Sequence, residues 1–199
     1  MKRALGIGLV LVLAAAGLLA LQAVGEHSPK HADGAGPLAS AGGHFKDTFA
    51  WPEDVSGPVT GGVPLCLLSG SEGAVIENVE PEGVLGTGWR FLGAVVRRFA
   101  PDATHSAILS IHGYPPTVPE ELYPAAGYVV TSGCSDEARN ADYTELLIGF
   151  QRADALGGGW SGIDVTYSVG GVQHVLVIGQ AFSHCGPGLD PYYCPTPPP

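Results

Sequence analysis

Four cysteines, seven histidines and 19 acidic residues are the side chains with chemistry to offer, and their spacing limits what they can do. Cys66, Cys134, Cys185 and Cys194 are even in number and admit three pairings. None forms a Cys-x-x-Cys pair, so neither a thioredoxin-type redox site nor a zinc knuckle is supported. His105 and His112 are an odd number of residues apart and would face opposite sides of one strand; His184, adjacent to Cys185, meets the same objection. A blue-copper site wants a nearby methionine, and Met1 is the only one. Asp136, Glu137, Asn140, Asp142 and Glu145 offer oxygens to calcium but lack its glycine-bearing loop pattern, and their expected state is a solvated loop.

Nucleophile motifs are missing as well. There is no Gly-x-Ser-x-Gly, Ser-x-x-Lys, His-Glu-x-x-His or phosphate-cradling loop, and Gly157 to Gly159 precede a strand where a phosphate loop would precede a helix. Carboxylates assembled from distant strands escape any linear search. The expectation is no catalytic, metal-binding or cofactor-binding residue, and no cofactor. The four cysteines are expected to be structural.

The elements that must carry these residues read as strands. Ile163, Val165, Tyr167 and Val169 alternate with Asp164, Thr166 and Ser168, and Gly170-Gly171 separates them from the β-formers that begin at Val172. This predicts a hairpin with a primed turn, pairing Val169 with Val172, Tyr167 with His174, Val165 with Leu176 and Ile163 with Ile178 on one apolar side. His174 is then a rim histidine near the hairpin tip. Further strands are expected at 65–68, 74–80, 89–98, 105–111, 127–132 and 144–152. The nearly unbroken apolar run from Trp89 to Val96 predicts a central strand covered on both faces. A short helix could sit at 135–141, capped by Ser135. The fold class is therefore all-β: an immunoglobulin-like or related antiparallel β-sandwich of about seven to eight strands, with a barrel or jelly roll as alternatives. Counting strands up and down puts Cys66 and Cys134 at one end and Cys185 at the other, so the expected bridges are Cys66–Cys134 and Cys185–Cys194.

The chain's ends differ from its middle. Lys2 and Arg3 precede 18 uncharged, apolar residues, Ala4 to Leu21, so the positive end stays inside and the chain beyond Gly25 is carried out. Ala23-Val24-Gly25 suits signal-peptidase cleavage before Glu26, whereas about 27 Å of apolar helix suits a retained anchor. Residues 1–25 are thus a signal peptide or an N-terminal membrane anchor, and both outcomes stand open. Residues 26–62 read as a flexible Gly/Ala/Pro-rich linker, with Phe45, Phe49 and Trp51 as a strap against the domain. The β-domain is expected at 63–194 and a proline-rich tail at 195–199. All 19 acidic residues lie beyond Gly25, which makes the exported part more acidic than the whole chain's net −10. Such a charge repels phosphate backbones, so nucleic acid is excluded as a partner.

Pro64-Leu65-Cys66, Val79-Glu80-Pro81, Thr131-Ser132-Gly133-Cys134, Glu145-Leu146 and the hairpin running to Cys185 resemble small exported β-domain proteins of high-GC Gram-positive bacteria. The resemblance implies export and a β-domain, and no particular chemistry. Cys194 stands outside its pattern, which leaves the partner of Cys185 open. The expected role is an extracytoplasmic, non-catalytic binding or structural module, secreted or anchored, whose partner is another cell-envelope component. Tyr192 and Tyr193 would supply an aromatic contact. The alternative is a secreted hydrolase or metal-dependent enzyme assembled from dispersed acidic and histidine side chains.

Overall fold

In the computed structural model, which describes residues 36–40, 48–50, 57–68, 72–99, 110–135 and 143–184, the alternating stretch after Gly162 forms the expected hairpin. The strands in chain order are β1 (Leu38–Ser40), β2 (Thr48–Ala50), β3 (Pro58–Leu67), β4 (Ala74–Glu82), β5 (Leu85–Gly86), β6 (Trp89–Phe99), β7 (Ser110–His112), β8 (Leu122–Pro124), β9 (Val129–Val130), β10 (Tyr143–Arg152), β11 (Gly158–Trp160), β12 (Gly162–Val169), β13 (Val172–Ile178) and β14 (Ala181–His184). Val169 faces Val172, Tyr167 faces His174, Val165 faces Leu176 and Ile163 faces Ile178, as the alternation requires. Gly170 and Gly171 take φ of 57° and 80°, the left-handed pair that a two-residue primed turn needs. Ile163, Val165 and Tyr167 are buried. The opposite flank of β12 pairs with β4, where a bulge lets Glu77 and Asn78 both point outward while Ile76 and Val79 stay in the core. The sheet order is β13-β12-β4-β9.

A second sheet runs β1-β3-β10-β6-β8, with β7 also paired to β3. The strand covered on both faces is β10, buried from Thr144 to Phe150. This corrects the expectation for Trp89 to Val96: most of β6 is only half-buried, because β8 flanks it at Val95–Arg97 alone. Leu146, Ile148 and Phe150 turn one side of β10 into the core, and Glu145, Leu147 and Gly149 form the other row. The third sheet, β2-β14-β11-β5, is antiparallel except where β14 meets β2 in parallel. Phe150, Trp160 and Phe182 meet at centroid distances of 4.6 to 5.6 Å, and Trp89 adds an edge contact to Phe150 at 5.2 Å. Side chains from all three sheets share one apolar core. The chain is all-β over the described residues, none of which forms a helix long and apolar enough to cross a membrane.

The stretch expected as a 26–62 linker contributes strands, which corrects that boundary. Leu38–Ser40 pairs with Leu65–Leu67, Thr48–Ala50 pairs with β14, and β3 already begins at Pro58. Leu38 is buried and its N–H donates to the Tyr167 hydroxyl oxygen at 3.3 Å, so a three-residue strand without visible periodicity is held by one side chain and a few backbone bonds. The segments 1–25 and 195–199, the helix at 135–141 beyond Ser135, the strand residues 105–109 and the side chains of Phe45, Phe49 and Trp51 lie outside the described residues.

The outer row of β10 is roofed by the segment from Gly113 to Pro124. The Gly113 N–H donates to the Pro58 carbonyl at 2.7 Å, and the Thr60 hydroxyl donates to the Gly113 carbonyl at 2.5 Å. Tyr114, joined to Pro115 by a cis peptide bond, then lays its ring over Gly149 and Gly93, which face each other beside a bulge. A Cβ on Gly149 would overlap that ring. Gly149→Ala is therefore expected to lower the unfolding free energy by about 2 kcal/mol through overpacking. In a Tyr114→Ala background the same change should cost less than about 1 kcal/mol, because the ring is gone. Urea unfolding of the four-member cycle measures this, and equal costs in both backgrounds would refute the contact.

Candidate functional site

The expected Cys66–Cys134 bridge is present, with S–S 2.06 Å and Cα–Cα 5.0 Å. Backbone bonds flank it: the Leu67 N–H donates to the Ser132 carbonyl and the Cys134 N–H to the Leu67 carbonyl. Cys185, Cys194, Tyr192 and Tyr193 lie outside the described residues, as do His105, Asp136, Glu137, Asn140 and Asp142. His112 is exposed on β7. His174 stacks on Tyr167 at 5.3 Å between ring centroids, at the rim position the register required. Among the described residues no three His, Cys, Asp or Glu side chains are grouped to hold a metal ion.

Glu145 corrects its expected place in a solvated loop. It is 0% exposed on the outer row of β10, opposite Arg97 of β6, which is 3% exposed. Arg97 Nε donates to Glu145 Oε2 at 2.6 Å, and Arg97 Nη1 donates to Glu120 Oε2 at 3.1 Å. The guanidinium carbon lies 4.3 Å from the centre of the Phe99 ring. Glu120 belongs to the roofing segment, so Arg97 ties the roof to the sheet. This is a structural triad: both carboxylates are engaged by one cation beneath a covering loop, which leaves them unsuited to meeting a substrate.

Among the described residues, the turn after β10 sets a large exposed apolar side chain on a hydrogen-bonded brace. The Ala153 N–H donates to the Gly88 carbonyl at 2.8 Å, and the Gly88 N–H donates to the Gly157 carbonyl at 2.9 Å. Asp154 fastens the tip: its Oδ2 accepts from the Thr87 hydroxyl at 2.7 Å and its Oδ1 accepts from the Leu156 N–H at 2.8 Å. Those bonds, the Thr87 one first, hold the Asp154 carboxyl below the usual aspartate range. Gly157 closes the turn at φ 77°. The result is a braced loop that leaves Leu156 80% exposed, with Val84 at the start of the neighbouring β5 connection 59% exposed. Beside Leu156, residues Gln151 to Ala155 line an open hollow of about 340 Å³. Sequence reasoning passes over this site, because Ala153-Asp154-Ala155-Leu156-Gly157 carries only an ordinary turn signal.

No protein-family model, curated protein or solved structure matches the chain.

Proposed function

We propose that the chain is an extracytoplasmic β module of the cell envelope that binds another envelope component through the Leu156 loop and performs no catalysis. The observation that carries this reading is the braced exposure of Leu156: a large apolar side chain held out on a hydrogen-bonded turn beside a hollow presents contact area at little entropic cost. Export is supported by the Lys2-Arg3 start ahead of an apolar run and by the Cys66–Cys134 bridge, which suits an oxidising compartment. Residues 1–25 are taken as the export helix, cleaved or retained. The architecture is taken as an immunoglobulin-like or related sandwich, on the strength of sheets that share one core.

Cosedimentation of the chain from Glu26 onward, so that the apolar segment cannot itself carry it down, with isolated envelopes of the producing cell tests the reading. The wild-type chain is expected in the pellet, and Leu156→Asp should weaken retention about tenfold, equivalent to about 1.4 kcal/mol. Leu68→Asp, which alters a half-exposed leucine at the end of β3, should leave it unchanged. Failure of the wild type to pellet, or full retention of Leu156→Asp, would overturn the proposal.

A further inference from the structure

Strand β13 is the long edge of its sheet. The strands that end the other sheet orders, β1, β8, β2 and β5, and the opposite edge β9 are no more than three residues long, and β8 ends in Pro124. The open stretch of β6 is interrupted by Arg90 and the bulge at Leu92. These are the usual protections against stray pairing. β13 has none of them: Val172-Gln173-His174-Val175-Leu176-Val177-Ile178 has no Lys, Arg, Asp, Glu or Pro, and its register with β12 is unbroken. A two-residue hairpin makes Val169–Val172 a hydrogen-bonded pair, so Gln173, Val175 and Val177 turn their N–H and C=O groups away from β12. Among the described residues no other strand takes these groups up. Val172 and Val177 are also 58% and 48% exposed.

We propose that β13 pairs antiparallel with β13 of a second copy of this chain about a two-fold axis at Val175. In that register Val175 meets Val175 of the second copy, Gln173 meets its Val177, and His174 meets its Leu176, so no like charges stand opposite one another. A second copy fits better than a charged peptide, which would find no opposite charge on this strand. The chain's acidity does not forbid the pairing. The nearest outward carboxylate is Glu77, which accepts from the Gln173 side chain. Since Gln173 would face Val177 of the second copy, which Asp164 flanks on β12, Glu77 and that copy's Asp164 stand two strand spacings apart, about 10 Å. That exceeds the roughly 8 Å screening length at physiological salt. The ladder satisfies the free edge groups and covers Val172 and Val177. The contact is separate from the Leu156 loop, so either proposal can fail alone.

Cysteine trapping in the full chain, followed by non-reducing electrophoresis, tests the register. Residue 175 of the two copies would stand about 5.5 Å apart between Cα atoms, within disulfide reach. Residue 177 would face Gln173 of the second copy, with its own counterpart about 13 Å along the ladder. Val175→Cys is expected to form a covalent dimer at least about tenfold faster than Val177→Cys. Equal rates, no dimer, or a crosslinked species of another mass would overturn the proposal. Sedimentation of the unmutated chain supplies a second reading that needs no variant: a dimer supports the pairing, and a monomer at every concentration overturns it.

Discussion

Arg97→Met is expected to lower the unfolding free energy by about 3–5 kcal/mol, because it leaves the buried Glu145 and the largely covered Glu120 without their shared cation. Glu145 has no exposure at all, so it cannot turn to water without the roofing segment lifting from β10. Urea unfolding followed by tryptophan fluorescence reads the loss as a shifted midpoint. Replacing both ends of the closer contact, Arg97→Met with Glu145→Leu, should recover much of the deficit, since well-packed apolar side chains can replace a buried ion pair at small cost. A single-variant loss below about 1 kcal/mol would mean that the triad is hydrated and that Arg97 does not tie the roof to the sheet.

The second large effect belongs to the Cys66–Cys134 bridge. Its sequence separation of 68 residues corresponds to about 4 kcal/mol of denatured-state entropy on the loop-closure account. Cys66→Ala with Cys134→Ala is expected to lose that amount, and reductant should bring the unmutated chain to the same midpoint. The backbone bonds between Leu67 and the Ser132–Cys134 stretch should survive in the folded double variant, as hydrogen exchange at Leu67 and Cys134 would show. A loss below about 1 kcal/mol would place the restraint elsewhere.

Period and length decide how much of this fold is legible in the sequence. The hairpin from Ile163 to Ile178 is legible down to its register, because alternation over seven residues and a Gly-Gly turn leave one pairing that keeps Tyr167 and Val165 inside. The position of β10 is legible too, but its depth is not. Leu147 and Gly149 alternate with the Leu146, Ile148 and Phe150 row, so the only polar member of the outer row in the buried stretch is Glu145. A carboxylate in a doubly covered strand calls for a cation on the neighbouring strand, and that signal points to Arg97. Proximity to Asp136 and Asp142 suggests a solvated loop instead. β1 and β5 have three and two residues, too short for any period to show. The Leu156 site is hidden for a different reason. Its exposure depends on Thr87 and Gly88 reaching across from a connection far away in the chain, a tertiary arrangement with no local trace.

The sulfur bridge also governs how the protein would bear tension. Because Ala39 lies opposite Cys66, a pull from the amino-terminal side first strips the short rungs of β1 and can then unravel chain only as far as Cys66. From there the load crosses to Cys134 through the sulfurs and bypasses everything between them. The 68-residue separation amounts to about 240 Å of contour that no stretching force can release while the bond is intact. The hidden length contains β4, β9 and β6, so half of the hairpin sheet and the strand bearing Arg97 stay slack under strain borne by the rest.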